Sequence, residues 1–269
     1  LKLIGNMDRK DQVVDYHAFL QDTWSVSKNL TLNLGLRFEY NSLVWPKQGA
    51  GVEESYGRWT VKRGVDEKTT AYSWSNIVPR FGAIYDIFSD GTTLLKASFG
   101  RYLITNQMGF VNTAHPNGWF GVWEFLTPDG KDVLFYAPFS IPDPDATQIG
   151  HPDYELKPSY TDELTINIER ELWEDWSVSL RYIKKWDKDL IHVVDSAQLD
   201  FEKLMEDGVL DWSKNWVPVE ATDPINGQPI TFYSQLDTTA IKEYIVNPPG
   251  AEREYDGIEL SLKKRYSNG

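Results

Sequence analysis

The sequence predicts an all-β protein, part of an antiparallel up-and-down transmembrane β-barrel with about seven strands and three long extracellular loops. Three observations predict it. Apolar and polar residues alternate with a period of two in segment after segment. The connections between these segments are short and long by turns. The charge is concentrated in the long connections.

Leu30 to Tyr40 is the clearest strand. Leu30, Leu32, Leu34, Leu36, Phe38 and Tyr40 fall on one face, and Thr31, Asn33, Gly35, Arg37 and Glu39 on the other. Such alternation marks a strand with one apolar face. A tilted strand of about 9–11 residues crosses a bilayer, whereas strands of soluble domains run nearer 5–6. Val13 to Val26 precedes it, with Val14, Tyr16, Ala18, Leu20 and Trp24 opposed to Asp15, His17, Phe19, Gln21 and Thr23. The link Ser27-Lys28-Asn29 is turn-like, so the two form a hairpin.

The unit recurs. Val78 to Phe88 and Thr93 to Tyr102 are joined through Ser89-Asp90-Gly91-Thr92, and Asp-Gly is a strong hairpin turn. Tyr160 to Leu172 and Trp176 to Trp186 meet at Trp173-Glu174-Asp175, and a seventh strand runs from Tyr255 to Tyr266. The connections at about 41–77, 103–157 and 187–254 are far longer than those of a compact soluble domain. In a membrane barrel, short turns face the periplasm and long loops face outside.

Residues 103–157 hold seven acids and two bases, residues 187–253 thirteen acids and five bases, and residues 41–77 four acids and five bases. These stretches carry −12 of the net charge of −13, which leaves the strands nearly neutral. Strands for lipid and loops for water produce that partition.

Composition excludes several classes. The chain has 269 residues, no cysteine and a mean hydropathy of −0.45. Thiolate metal sites, disulfides and thiol nucleophiles are excluded, and the acidity argues against a nucleic-acid partner. No stretch is long and apolar enough for a transmembrane helix, a test to which barrel strands are invisible. Aromatics at 14%, with 11 Trp and 14 Tyr, suit interfacial girdles or sugar-binding surfaces. No secretory leader is recognisable at Leu1-Lys2-Leu3-Ile4-Gly5, so the chain is expected to be mature, trimmed or a fragment.

Several of these segments resemble TonB-dependent receptors. Phe19-Leu20-Gln21-Asp22-Thr23-Trp24, followed by Leu30 to Tyr40, resembles their F-x-Q-D-x-W … L-T-L-N-x-G-L-R-x-E hairpin. Pro79-Arg80-Phe81-Gly82-Ala83 is similar to their P-R-x-G strand, and Leu156-Lys157-Pro158 through Asp162-Glu163 to Ile168-Glu169 to their L-K-P-E … E-x-G-x-E strand. Tyr255 to Leu260 with Lys264 to Asn268 resembles a strand of the Oar-like subgroup, which often carries a carboxypeptidase-regulatory-like domain. The resemblance implies a barrel of about 22 strands around a plug, of which residues 1–269 would be one part of the wall. Plug and TonB box are not recognisable here, and both would lie upstream of Leu1. It also implies active uptake, with outer-membrane lipid, the protein's own plug and TonB as partners in the bacterial outer membrane.

The candidate site residues fall into two sets. Arg37, Glu39, Arg80, Lys96, Glu163, Glu169, Arg181 and Glu259 are expected to line the lumen, with Asp86 on the same face. They would touch plug or ligand, or simply pair with one another across strands. Trp59, Trp74, Trp119, Phe120, Trp123 and Phe125 are expected ligand contacts in the loops, led by the cluster from Trp119 to Phe125; the alternative is that they let the loops fold on themselves. Segment 199–212 has the spacing of a short amphipathic helix with a packing role.

No metal site is expected. His17, His115, His151 and His192 share no ligand spacing, and Asp143, Asp145 and Asp153 form an acidic loop in which calcium is the weaker reading against solvation. There is no nucleophile elbow, phosphate loop or His-Glu-x-x-His, so an enzyme is not expected. Two other readings stand beside receptor and transporter: a passive barrel or adhesin, and a soluble β-rich glycan-binding protein that buries its apolar faces against a second sheet.

Overall fold

The computed structural model describes residues 2–6, 9–56, 59–104, 114–115, 120–140, 147–173, 175–237 and 241–265. In chain order the strands are β1 (Lys2–Asn6), β2 (Gln12–Ser25), β3 (Leu30–Trp45), β4 (Gln48–Tyr56), β5 (Trp59–Val65), β6 (Thr69–Asp86), β7 (Thr93–Ile104), β8 (Phe120–Leu126) and β9 (Val133–Ser140). There follow β10 (Thr147–Ile149), β11 (Ser159–Trp173), β12 (Trp176–Lys188), β13 (His192–Asp195), the helix α1 (Phe201–Asp207), β14 (Trp216–Thr222), β15 (Pro229–Gln235), β16 (Glu243–Val246) and β17 (Arg253–Lys264).

Seven strands form one antiparallel sheet in the order β17-β12-β11-β7-β6-β3-β2. Each pairs with the next of the seven along the chain, which is an up-and-down meander. The sheet is a partial barrel that does not close: β2 and β17 are its edges. Short turns join β2 to β3, β6 to β7 and β11 to β12, so all three lie at one end. The turn after β6 is built by its own side chains. Asp86 Oδ2 accepts from the Gly91 N–H at 2.8 Å, and Asp90 Oδ1 accepts from the Thr92 N–H at 2.9 Å. Gly91 has φ 77°, a conformation glycine adopts without penalty.

Register turns the sequence alternation into two continuous faces. Trp24, Leu32, Ala83, Ala97, Ile166, Tyr182 and Ile258 stand opposite one another from strand to strand across all seven. The next row on that face is Leu30, Tyr85, Leu95, Ile168, Leu180 and Leu260. Behind the first row run Thr23, Asn33, Gly82, Ser98, Thr165, Ile183 and Gly257.

The apolar face is the open one. Leu36 is 51% exposed, whereas Glu39 on the other face is 8% exposed. Leu20, Leu36, Ile77, Ile258, Leu260 and Leu262 are each more than half exposed. At about 1.5–3 kcal/mol for a side chain taken fully out of water, these six alone leave about 10 kcal/mol unrealised in an aqueous setting. That rivals the whole stability of an ordinary domain, about 5–15 kcal/mol. No second sheet covers them among the described residues, so the two-sheet arrangement of a soluble sandwich is absent there.

The strands depart from their expected ends in one region. β3 runs on to Trp45 and β6 starts at Thr69, so the first connection is shorter than 41–77 and carries the hairpin β4–β5. The strict alternation ends at Asn41-Ser42, yet pairing continues to Trp45↔Thr69 through a bulge after Leu43. The extended hairpin is buried by the other loops. Leu43, Trp45, Tyr72 and Trp74 pack with Val65, Ala114, Ile191 and Ile245. A second cluster joins Val194, Leu199, Phe201, Leu204, Met205, Tyr244 and Val246. The small sheet β10-β16-β13 links the second and third connections, with β10 parallel to β16. α1 lies inside the expected 199–212 segment and buries Phe201, Leu204 and Met205; Asp200 caps its start and Gly208, at φ 70°, its end. Among the described residues no helix is long and apolar enough to cross a membrane, which says nothing of strands.

Candidate functional site: the polar face and the loop layer

All eight of the charges expected to line the lumen lie on the polar face, because each occupies the alternate register position. Seven are in ion pairs. Arg37 Nε is 2.7 Å from Glu39 Oε1 along β3, and Lys96 Nζ is 2.8 Å from Glu169 Oε2 between β7 and β11. Arg181 Nη1 lies 3.3 Å from Glu259 Oε2, and Glu163 Oε2 lies 2.8 Å from Lys185 Nζ. The eighth, Arg80, stands over the Tyr102 ring at 5.0 Å from its centre. Asp86 falls on the same face. Partly exposed pairs contribute only about 0–1 kcal/mol each, so the pattern sets polarity and register more than stability.

Lys185 belongs to this face although the sequence reading did not single it out; its odd position in β12 is the signal that marks it. Asp187 accepts from Thr161 Oγ1 at 2.6 Å and pairs with Arg253 at 2.6 Å near the loop end. The pair Arg101–Asp162 is bidentate at 2.7 and 2.8 Å, with the guanidinium 3.9 Å from the Tyr160 ring centre. It sits where β6 and β7 part: they pair only from Arg80↔Gly100 down to Asp86↔Leu94. A cleft of about 310 Å³ opens above, lined by Trp74, Asn76, Val78, Arg101 and Leu103 among others.

The loop aromatics divide. Trp119 lies outside the described residues, as do the side chains of Trp59 and Phe120. Trp123 and Phe125 are half-buried on β8, where Phe125 stacks on Phe135 at 4.3 Å. Trp74 is buried in the loop core, stacked on Tyr72 at 4.0 Å, and its Nε1 donates to the Leu156 carbonyl at 3.0 Å. An open pocket of about 550 Å³ lies elsewhere, among Trp212, Ser213, Trp216, Pro218 and Tyr233.

The histidines are scattered. His17 lies on β2 opposite Glu39, and His192 begins β13. His151 packs among Tyr154, Phe201 and Tyr244. His115 is buried against Trp45, and burial pushes its pKa down. Asp143 and Asp145 lie outside the described residues, and Asp153 is exposed. Among the described residues no three His, Asp or Glu side chains come together as a metal site would need.

Residues 4–269 match the model of a family described as an outer membrane beta barrel domain. Over 99 residues, 37% of this chain, the sequence is 32% identical to the TonB-dependent transporter Oar of Myxococcus xanthus. That stretch is 8% of the relative's length. The siderophore receptor PirA from Acinetobacter baumannii is similar at a TM-score of 0.43 and 16% identity, over 93% of this chain and 25% of that one. The outer membrane transporter YddB from Escherichia coli is similar at 0.40 and 15%, over 94% of this chain and 30% of that one. These relatives are transporters and a receptor rather than enzymes.

Proposed function

The chain belongs to the outer membrane beta barrel family, and from that premise we propose that it forms part of the wall of a TonB-dependent transporter for a large or scarce ligand. Its place is the bacterial outer membrane. Lipid covers the apolar face. The polar face lines the interior, where its paired charges meet water and the protein's own plug. The loop layer faces outside and captures the ligand, and TonB supplies energy from within.

The observation that carries this reading is the inversion of the sheet. Its apolar rows are largely exposed across the seven strands while Glu39 and Asn41, on the other face, are buried. The sequence likeness to a TonB-dependent transporter supports the energised form over a passive barrel.

Two measurements on the full-length protein in its own outer membrane test it. Residues 1–269 contain no cysteine, so single cysteines at Ser261 and Leu260 are placed in a full-length background in which any other cysteine is replaced by serine. A membrane-impermeant maleimide should label Ser261→Cys, and a lipid-confined quencher should reach a probe on Leu260→Cys. The reverse pattern would refute the wall assignment. Ligand-dependent growth that survives inactivation of TonB would leave a passive barrel.

A further inference from the structure

The hairpin β14–β15 stands out from the loop layer and carries the open pocket. Trp216 is opposite Gln235 and Pro218 opposite Tyr233, so Trp216, Pro218 and Tyr233 share one side of the hairpin. The turn before β14 returns Trp212 to that side, held by the Trp216 N–H donating to the Trp212 carbonyl at 3.0 Å. Three aromatic rings and a proline therefore meet over about 550 Å³, a size ordinary for small-molecule sites. Core packing has not consumed two of these rings, Trp212 at 48% and Tyr233 at 65% exposed, while Trp216 is half-buried.

Elsewhere this chain repeatedly seats its own cations on rings. Arg80 lies over Tyr102, Arg101 over Tyr160, Lys184 over Trp186 and Lys264 over Trp176. Among the described residues none lies over the three pocket rings. Residues 209–237 contain four acids, Asp211, Glu220, Asp223 and Asp237, against the single base Lys214. That base is tied back, with Nζ donating to the Ser196 carbonyl at 2.5 Å. Asp211, beside Trp212, stays ionised well below the usual carboxylate range, because Lys203 and Ser213 hydrogen-bond its carboxylate. Residues 209–237 thus sum to −3, with the Asp211 charge met by Lys203 from α1.

We propose that this pocket binds an organic cation, a quaternary ammonium or guanidinium group, through the faces of Trp212, Trp216 and Tyr233; the proposal rests on the loop layer being the capture face of a transporter. The lining decides between ligand classes. Apart from the Ser213 hydroxyl, the tip of Tyr233 and the indole N–H groups of Trp212 and Trp216 it is apolar. A sugar seated there would leave several hydroxyls unpaired, each costly to bury. A metal ion needs an oxygen cage. An organic cation has diffuse charge and an apolar surface, which suit aromatic faces on a segment rich in acids.

The test uses full-length protein in detergent, with choline as probe and two controls: its uncharged carbon isostere, in which carbon replaces the ammonium nitrogen, and maltose. Isothermal titration should show choline binding at least about tenfold tighter than the isostere, weakening as salt rises. Trp216→Leu and Trp212→Leu should lose that preference, and Trp212→Phe, which keeps a ring, should restore most of it. Equal binding of choline and isostere, tighter binding of maltose, or no choline binding by correctly folded protein would overturn the proposal. Energised uptake that persists without choline binding overturns the pocket alone, and its loss in wild type bears on the transporter reading alone.

Discussion

Asn215 and Asp237 close a hydrogen-bonded ring at the foot of the projecting hairpin. Asn215 Nδ2 donates to the Asp237 carbonyl at 2.9 Å, and the Asp237 N–H donates to Asn215 Oδ1 at 2.8 Å. The same Nδ2 donates to Gln198 Oε1 at 2.9 Å, which ties the hairpin to the stretch before α1. Asn215→Leu removes three part-buried hydrogen bonds, at about 0.5–1.5 kcal/mol each. Hydrogen exchange in the full-length protein should quicken across β14 and β15 while the wall strands keep their protection. Unchanged exchange in the hairpin would refute the clamp.

The two faces of β12 should answer oppositely to the same charge. Leu180 lies mid-way along the apolar run Val178, Leu180, Tyr182, and Ser179 lies on the polar face. An arginine at the lipid midplane of a barrel costs about 2–4 kcal/mol. Leu180→Arg should therefore lower the stability of the full-length protein in lipid vesicles by that amount, and Ser179→Arg by clearly less. Urea unfolding in vesicles measures both, and equal costs would contradict the facing.

Tyr255 covers a glycine. A Cβ on Gly257 would lie 2.6 Å from the Tyr255 hydroxyl, and the Gly100–Tyr102 pair repeats the arrangement at 3.0 Å. Gly257→Ala should destabilise by displacing the ring, and most of that cost should vanish when Tyr255 is already alanine. A double-mutant cycle reads the coupling; additive costs would mean that the ring and the glycine are independent.

The link between α1 and the turn before β14 depends on pH in a fixed sense. Lys203 Nζ is 2.7 Å from Asp211 Oδ2. The lowered Asp211 carboxyl stabilises the fold above the ordinary carboxylate range, about pH 4, and this is lost as pH falls through the depressed value. The raised Lys203 ammonium stabilises below about pH 10, and this is lost as pH climbs past its raised value. Exchange protection of α1, corrected for intrinsic rates, should hold between these limits and fall on the acid side only below about pH 4. Asp211→Asn should remove the acid-side loss.

The wall is legible in the sequence because lipid enforces a period of two. Every residue from Leu30 to Tyr40 declares its face, and the Asp90-Gly91 turn declares its hairpin. Above the membrane that constraint lapses. Asn41, Ser42, Leu43 and Val44 break the alternation yet stay paired, because the other loops, rather than lipid, bury this stretch. Strands as short as β10 and β16 carry no periodic signature, and their parallel pairing joins residues nearly a hundred positions apart. Trp74 and Trp212 look alike as loop tryptophans; burial separates them, and it depends on contacts from Leu156 and Ile245 far along the chain. The odd position of Lys185 declares its face, but the pairing with Glu163 follows only from the register between β11 and β12.

The exposed apolar face turns the usual sense of mutational tolerance inside out. In a soluble domain, an outermost position accepts almost any residue and an inner one very few. Here Leu36, Leu180 and Leu260 stand outermost and should accept only apolar replacements, while Ser98, Thr165 and Ser179 on the opposite face should accept polar ones. Variant effects ranked by accessibility alone would misjudge these outward leucines.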